Sequence, residues 1–153
     1  MSKPRAPKAS TTFRQTWARF VLAIAALNLV WEIGQMPLYT LWLTGTRCEI
    51  AYAILHCTIG DILIAAFSLA VAVKLFGATV WPENRYGKVA VSAMVMALGY
   101  TLFSEWWNVE VRQAWAYRDI MPMLPGLGTG LSPVMQWLFV PALAFWLARP
   151  KSE

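Results

Sequence analysis

One histidine and two cysteines are all that the 153 residues offer as soft or nitrogen metal ligands. A single histidine excludes bis-histidine haem within one chain. It also excludes the paired Glu-x-x-His motifs of di-iron bundles. Cys48 and Cys57 form no C-x-x-C pair, which argues against a four-helix thiol oxidoreductase. GxSxG, Walker A and GxGxxG are absent, and GLGTG at 126–130 is read as a turn. A mixed metal site built from His56, Asp61, Glu32 and Glu105 would hold one nitrogen, short of the nitrogen or sulfur set usual for catalytic zinc. No metal and no cofactor are therefore expected. Charge is scarce too: charged residues are 14%, against about 25% in soluble domains.

Apolar residues fill the space, at 58% with a mean hydropathy of +0.48. Four stretches, 20–43, 51–76, 89–108 and 131–148, approach or exceed the roughly 20 helical residues that cross a hydrocarbon core. Backbone groups find no water in lipid, so these segments must be helices. The alternating pattern of a membrane barrel is missing. The expected fold is all-α: an integral membrane four-helix bundle of two antiparallel hairpins. It forms a single transmembrane domain over 20–148, with a basic arm at 1–19, a long outer loop at 109–130 and a short tail at 149–153. The first apolar run exceeds a signal h-region and lacks a clear cleavage site, so it reads as a retained helix.

Ten of the thirteen basic residues, among them Lys3, Arg5, Lys74, Lys88 and Lys151, fall on one side of this topology. Arg47, Arg112 and Arg118 fall on the other. The positive-inside rule then puts both termini in the cytoplasm, and a bacterial inner membrane is the expected location of this multi-pass chain. The net charge of +5 is mostly a topology signal, and no nucleic-acid partner is expected. Cys48 is expected in the first connection and Cys57 inside the second helix, so a bridge would need the loop to fold back. Pro37 should kink the end of the first helix.

Polar residues recur at helical spacing. Asn28, Glu32, Gln35 and Tyr39 share a face of the first helix, with Trp31 beside them. Thr101, Glu105, Asn108 and Arg112 repeat that spacing in the third, with Ser104 alongside. The second helix supplies Thr58 and Asp61, and the fourth Gln136. His56 stands five residues before Asp61, about 140° round an ideal helix, so the two cannot point at one spot without distortion. Glu32 and Asp61 lie near mid-membrane, and Gln35, His56, Glu105 and Gln136 nearer the outer end. A carboxylate at a helix centre costs about 2.5–3.5 kcal/mol on insertion scales. Such groups usually face a bundle interior or a wet cavity. The expectation is an outward-facing polar pocket roofed by the long loop. The plainer readings stand beside it: interhelical hydrogen bonds for Asn28, Gln35, Thr58, Ser104 and Gln136, and from a neutral Glu32 or Asp61; packing for His56; and interfacial exposure for Glu105 next to Trp106 and Trp107.

Burial disfavours the charged form of a carboxyl, and a neutral acid can donate a proton that a better-solvated group accepts. Glu32, Asp61, Glu105 and His56 are therefore the candidate catalytic groups. Asn28, Trp31, Gln35, Tyr39, Thr101, Ser104, Asn108, Arg112 and Gln136 are candidate ligand contacts. A pocket walled by aromatics suits a lipophilic, isoprenoid- or sterol-like molecule and isomerase or cyclase chemistry. A non-catalytic subunit or assembly factor of a larger membrane complex is the alternative, with a homo-oligomer also open. Proton or solute transport comes third, because the inner half offers no polar continuation.

The stretches WEIGQMPLY (31–39), LHCTIGD (55–61), SEWWN (104–108) and MPMLPGLGTGLSPVMQW (121–137) resemble those of uncharacterised small four-helix membrane proteins of proteobacteria. That resemblance spans most of the chain after residue 20 and implies no named activity. A looser, architectural resemblance is to the emopamil-binding and sterol-isomerase superfamily, carried by Glu105 followed by a loop and an apolar helix beginning near Pro133.

Overall fold

The computed structural model describes residues 8–77 and 80–150. Lys3, Arg5 and Lys151 of the topology count lie outside the described residues. Helix α1 spans Lys8–Gln35, and α2 is a single turn at Leu41–Thr44. Helix α3 spans Arg47–Ala72, α4 Tyr86–Trp106 and α5 Leu131–Ala148. The first long helix stops at Gln35, where the 20–43 reading carried it on. Pro37 explains the difference: it has no N–H to give, and its ring blocks the carbonyl four residues back. The chain tightens into a 3₁₀ turn at Met36–Leu38 and leaves the helix axis.

Helix α3 begins earlier than expected because Thr46 caps it. The Thr46 hydroxyl accepts from Glu49 N at 3.3 Å, and Glu49 Oε2 accepts from Thr46 N at 2.8 Å. This reciprocal pair satisfies orphan donors at the helix start. Cys48 consequently sits in the first turn of α3 rather than in a loop. Nine residues of continuous helix separate it from Cys57, a rise of roughly 13 Å that no disulfide can span. Both cysteines are free.

The main packing contacts run round a ring, α1 to α3 to α4 to α5 and back to α1. Successive long helices alternate in direction. Phe13 near the start of α1 meets Trp81 between α3 and α4, and Tyr86 of α4 donates to the Phe145 carbonyl late in α5 at 2.6 Å. At the other end, Ser132 early in α5 meets Gln35 at the end of α1. The half nearer the start of α1 is solid, with Phe20, Ile24, Leu69, Val89 and Phe145 all buried. Helix α4 turns Ala90, Ala93 and Ala97 inward, and small side chains let membrane helices approach closely.

The outside is as apolar as the inside. Leu22, Phe67, Val95 and Trp146 are exposed, as are many other large apolar side chains. Four helices are long and apolar enough to cross a membrane. A soluble bundle does not present such a surface, whereas lipid demands one. The chain is a multi-pass membrane protein, an all-α bundle of four membrane-length helices.

Replacing Ala93 by Leu should overfill the α4 seam and cost about 1–3 kcal/mol. Val95→Leu, two residues on at a lipid-facing position, should stay within about 0.5 kcal/mol. Reversible unfolding in mixed micelles reads both.

Candidate functional site

The half of the bundle nearer the end of α1 is polar and hollow. Gln136 of α5 sits at its centre. Its Nε2 lies 2.9 Å from Asn28 Oδ1, 3.0 Å from Glu32 Oε1 and 2.8 Å from Asp61 Oδ2. One primary amide nitrogen, with two hydrogens, thus serves three acceptors on α1 and α3. Gln35 Nε2 also donates to Glu32 Oε1 at 2.7 Å, and more distantly to Gln136 Oε1 at 3.3 Å. Ser132 donates to Gln35 Oε1 at 2.8 Å and accepts from Trp31 Nε1 at 3.3 Å. The helical spacing of Asn28, Glu32 and Gln35 made this possible, since it points three polar groups at one neighbour.

Glu105 of α4 lies at the equivalent place on the opposite side of the ring, also buried. Its partner comes from the long connection: the Tyr117 hydroxyl donates to Glu105 Oε2. Tyr117 is held there by the broken end of α1. The Pro37 carbonyl accepts from Arg118 Nη1 at 2.6 Å, the Leu38 carbonyl accepts from Arg118 N at 2.9 Å, and Thr40 N donates to the Ala116 carbonyl at 3.0 Å. Carbonyls released by the proline kink become the docking strip for the roof. Tyr39 packs against Tyr117 at 5.4 Å between ring centroids. Burial, then the nearby Glu105 carboxyl, pushes both phenols above the ordinary tyrosine value.

A cavity of about 790 Å³ separates the two carboxyl groupings. Ligand pockets commonly measure about 300–1,000 Å³, so this one is of functional size. Glu32, Gln35, Tyr39, His56, Asp61, Thr101, Ser104, Glu105, Asn108, Arg112 and Gln136 line it. Asn28 and Trp31 support the wall from behind without lining it. His56 stands at the exposed rim, stacked on Tyr52 at 5.6 Å, apart from the Gln136 network. Helix α3 runs unbroken past Gly60, so the angular offset between His56 and Asp61 is kept. Beyond Trp106 the chain widens into a π turn, Trp107–Val111. Asn108 there donates to the Ser104 carbonyl at 2.8 Å, and Arg112 is exposed. The Thr101 hydroxyl is buried and has no hydrogen-bond partner. Among the described residues, no three of His, Cys, Asp and Glu gather closely enough to hold a metal ion.

Tyr117 and Arg118 are the site residues that the sequence reading did not single out. They lie in a connection without periodicity, and Arg118 reads from sequence only as a positive charge. Tyr52, Cys57 and Tyr100 also line the cavity, and the helical spacing of 52, 56 and 60 could have signalled that α3 face.

Replacing Gln136 by Leu should cost about 1–3 kcal/mol, because buried acceptors on two helices lose their shared donor. Thermal unfolding in detergent measures it. The raised phenols set a second expectation. Their contribution to stability is complete below the ordinary tyrosine value of about 10 and is lost as pH rises through the folded values. The roof should therefore stay docked up to about pH 10. Limited proteolysis within 112–130 should accelerate only above that, and Tyr117→Phe should accelerate it already at neutral pH.

No protein-family model matches this chain, and neither does any curated protein or solved structure.

Proposed function

We propose that this membrane protein binds a lipophilic molecule in the hollow half of the bundle and moves a proton on it. The observation that carries the reading is a cavity of ligand size with carboxyls on opposite walls. Glu32 and Asp61 share one amide donor on one wall, and Glu105 accepts from a tyrosine on the other. Two carboxyl groupings in unlike surroundings are the usual means of separating an acid from a base. In this reading the Glu32–Asp61 pair delivers a proton to a double bond. Glu105 removes one from a neighbouring carbon, so the double bond moves and no net proton is consumed. Tyr39, Tyr100, Trp115 and Trp137 supply aromatic walls that favour developing positive charge. Asn108 and Ser104 orient the bound molecule. His56 and Arg112 stand at the rim, apart from the reacting carbons.

In this reading both termini are cytoplasmic, as the positive-inside distribution favours, and the cavity lies in the outer half of a bacterial inner membrane. A non-catalytic subunit or assembly factor has no need of such a cavity.

Native mass spectrometry of protein extracted gently from its host membrane should find a retained lipophile. Incubated with that molecule in heavy water, the protein should transfer deuterium to it. Glu32→Gln, Asp61→Asn and Glu105→Gln should each slow the transfer by about 100-fold or more. Undiminished transfer in all three variants, or a stoichiometric larger protein in place of a lipophile, sinks the reading.

A further inference from the structure

The cavity is closed on one side and open on the other. Its α1 and α5 lining residues, Glu32, Gln35, Gln136 and Trp137, are all buried. Its exposed lining residues are Cys48, Glu49, Tyr52 and His56 on α3, Tyr100 on α4, and Arg112 and Ala114 beyond α4 at the roof end. The opening therefore lies between α3 and α4. Leu55, Ile59 and Phe103 flank it and are 56%, 58% and 55% exposed, the apolar surface that faces lipid chains. Tyrosine hydroxyls and a histidine on such a surface are costly without a partner.

Helix α3 lines the cavity with Ala53, Cys57, Gly60 and Ile64, at steps of four, three and four. Ala53, Cys57 and Gly60 are small, and small side chains in a membrane helix normally seat a neighbouring helix. At Gly60 nothing is seated: a methyl group added there would meet no neighbouring atom within 4 Å. The row borders a groove leading inward from the mouth. Inside, Thr101 lines the cavity, while its hydroxyl is enclosed and has no hydrogen-bond partner among the described residues. Asp61 and Glu105 lie on either side of the same space.

We infer that the lipophile enters the cavity sideways from the bilayer, through the mouth between α3 and α4. Its chain lies along Ala53, Cys57 and Gly60 and emerges between Tyr52, His56 and Tyr100. This rests on the lipophile-pocket reading and adds the access route.

The test uses the full chain in phosphatidylcholine nanodiscs and hexadecanol carrying a mid-chain diazirine. After irradiation, peptide mass spectrometry locates the label. Labelling of the α3–α4 mouth should exceed that of the equally lipid-facing Ile33 and Phe139 by about tenfold, the ratio given by about 1.4 kcal/mol of preference. Gly60→Leu should bring the mouth down to the level of those controls, and Gly60→Ala should leave it high. Leucine is a good helix former and the site has room, so the bundle should survive. Ser104→Phe blocks the groove from α4 and should act as Gly60→Leu does. Even labelling over the whole surface, or mouth labelling indifferent to both blocking variants, overturns the inference. The two readings fail separately. Mouth labelling without deuterium transfer keeps the access route and removes the chemistry. Transfer with even labelling keeps the chemistry and removes the route.

Discussion

The primary amide of Gln136 holds the polar half of this bundle together. Three acceptors from α1 and α3 converge on its nitrogen, and its oxygen takes a further contact from Gln35. Two of those acceptors are carboxyls that could not sit at this depth without partners. The position of α5 against α1, and of α1 against α3, is thus fixed by hydrogen bonding at one end and by close apolar packing at the other. Glu105 has no part in that network and has to be satisfied from elsewhere.

That elsewhere is the connection before α5. Pro37 ends α1 early, and the carbonyls it frees receive Arg118, which brings Tyr117 over Glu105. A helix break and a buried carboxyl on different helices are therefore answered by one segment of chain. The same segment roofs the cavity. The hollow below it persists because the inward residues of α3 are small, while the inward residues of the opposite half are large or meet alanines on α4.

The bundle was legible in the sequence because lipid imposes one rule on four long apolar segments. The inward face of α1 was legible too, since Asn28, Glu32 and Gln35 repeat at helical spacing and Trp31 stands out among aliphatics. The angular argument separating His56 from Asp61 holds in the structure, because nothing interrupts α3. What was not legible lies where periodicity ends. The sequence carried the first helix to residue 43, since Leu41 and Trp42 are as apolar as the turns before Pro37. Tyr117 and Arg118 gave no sign of their partners, which come from helices a whole loop away. Arg112, counted onto the face of Glu105, lines the same cavity from an exposed position beyond the widening at Trp107.

The four long helices differ in length: 28 residues in α1, 26 in α3, 21 in α4 and 18 in α5. At 1.5 Å per residue, α5 covers roughly 27 Å and α3 roughly 39 Å. A hydrocarbon layer of roughly 30 Å is close to the length of α5 and shorter than α3, so α3 matches it only by tilting or by running past the hydrocarbon. The α5 flank borders the closed wall of the cavity, and the longer α3 borders its mouth. Acyl length in the surrounding membrane therefore bears differently on the two flanks, on α5 beside the closed wall and on α3 beside the mouth.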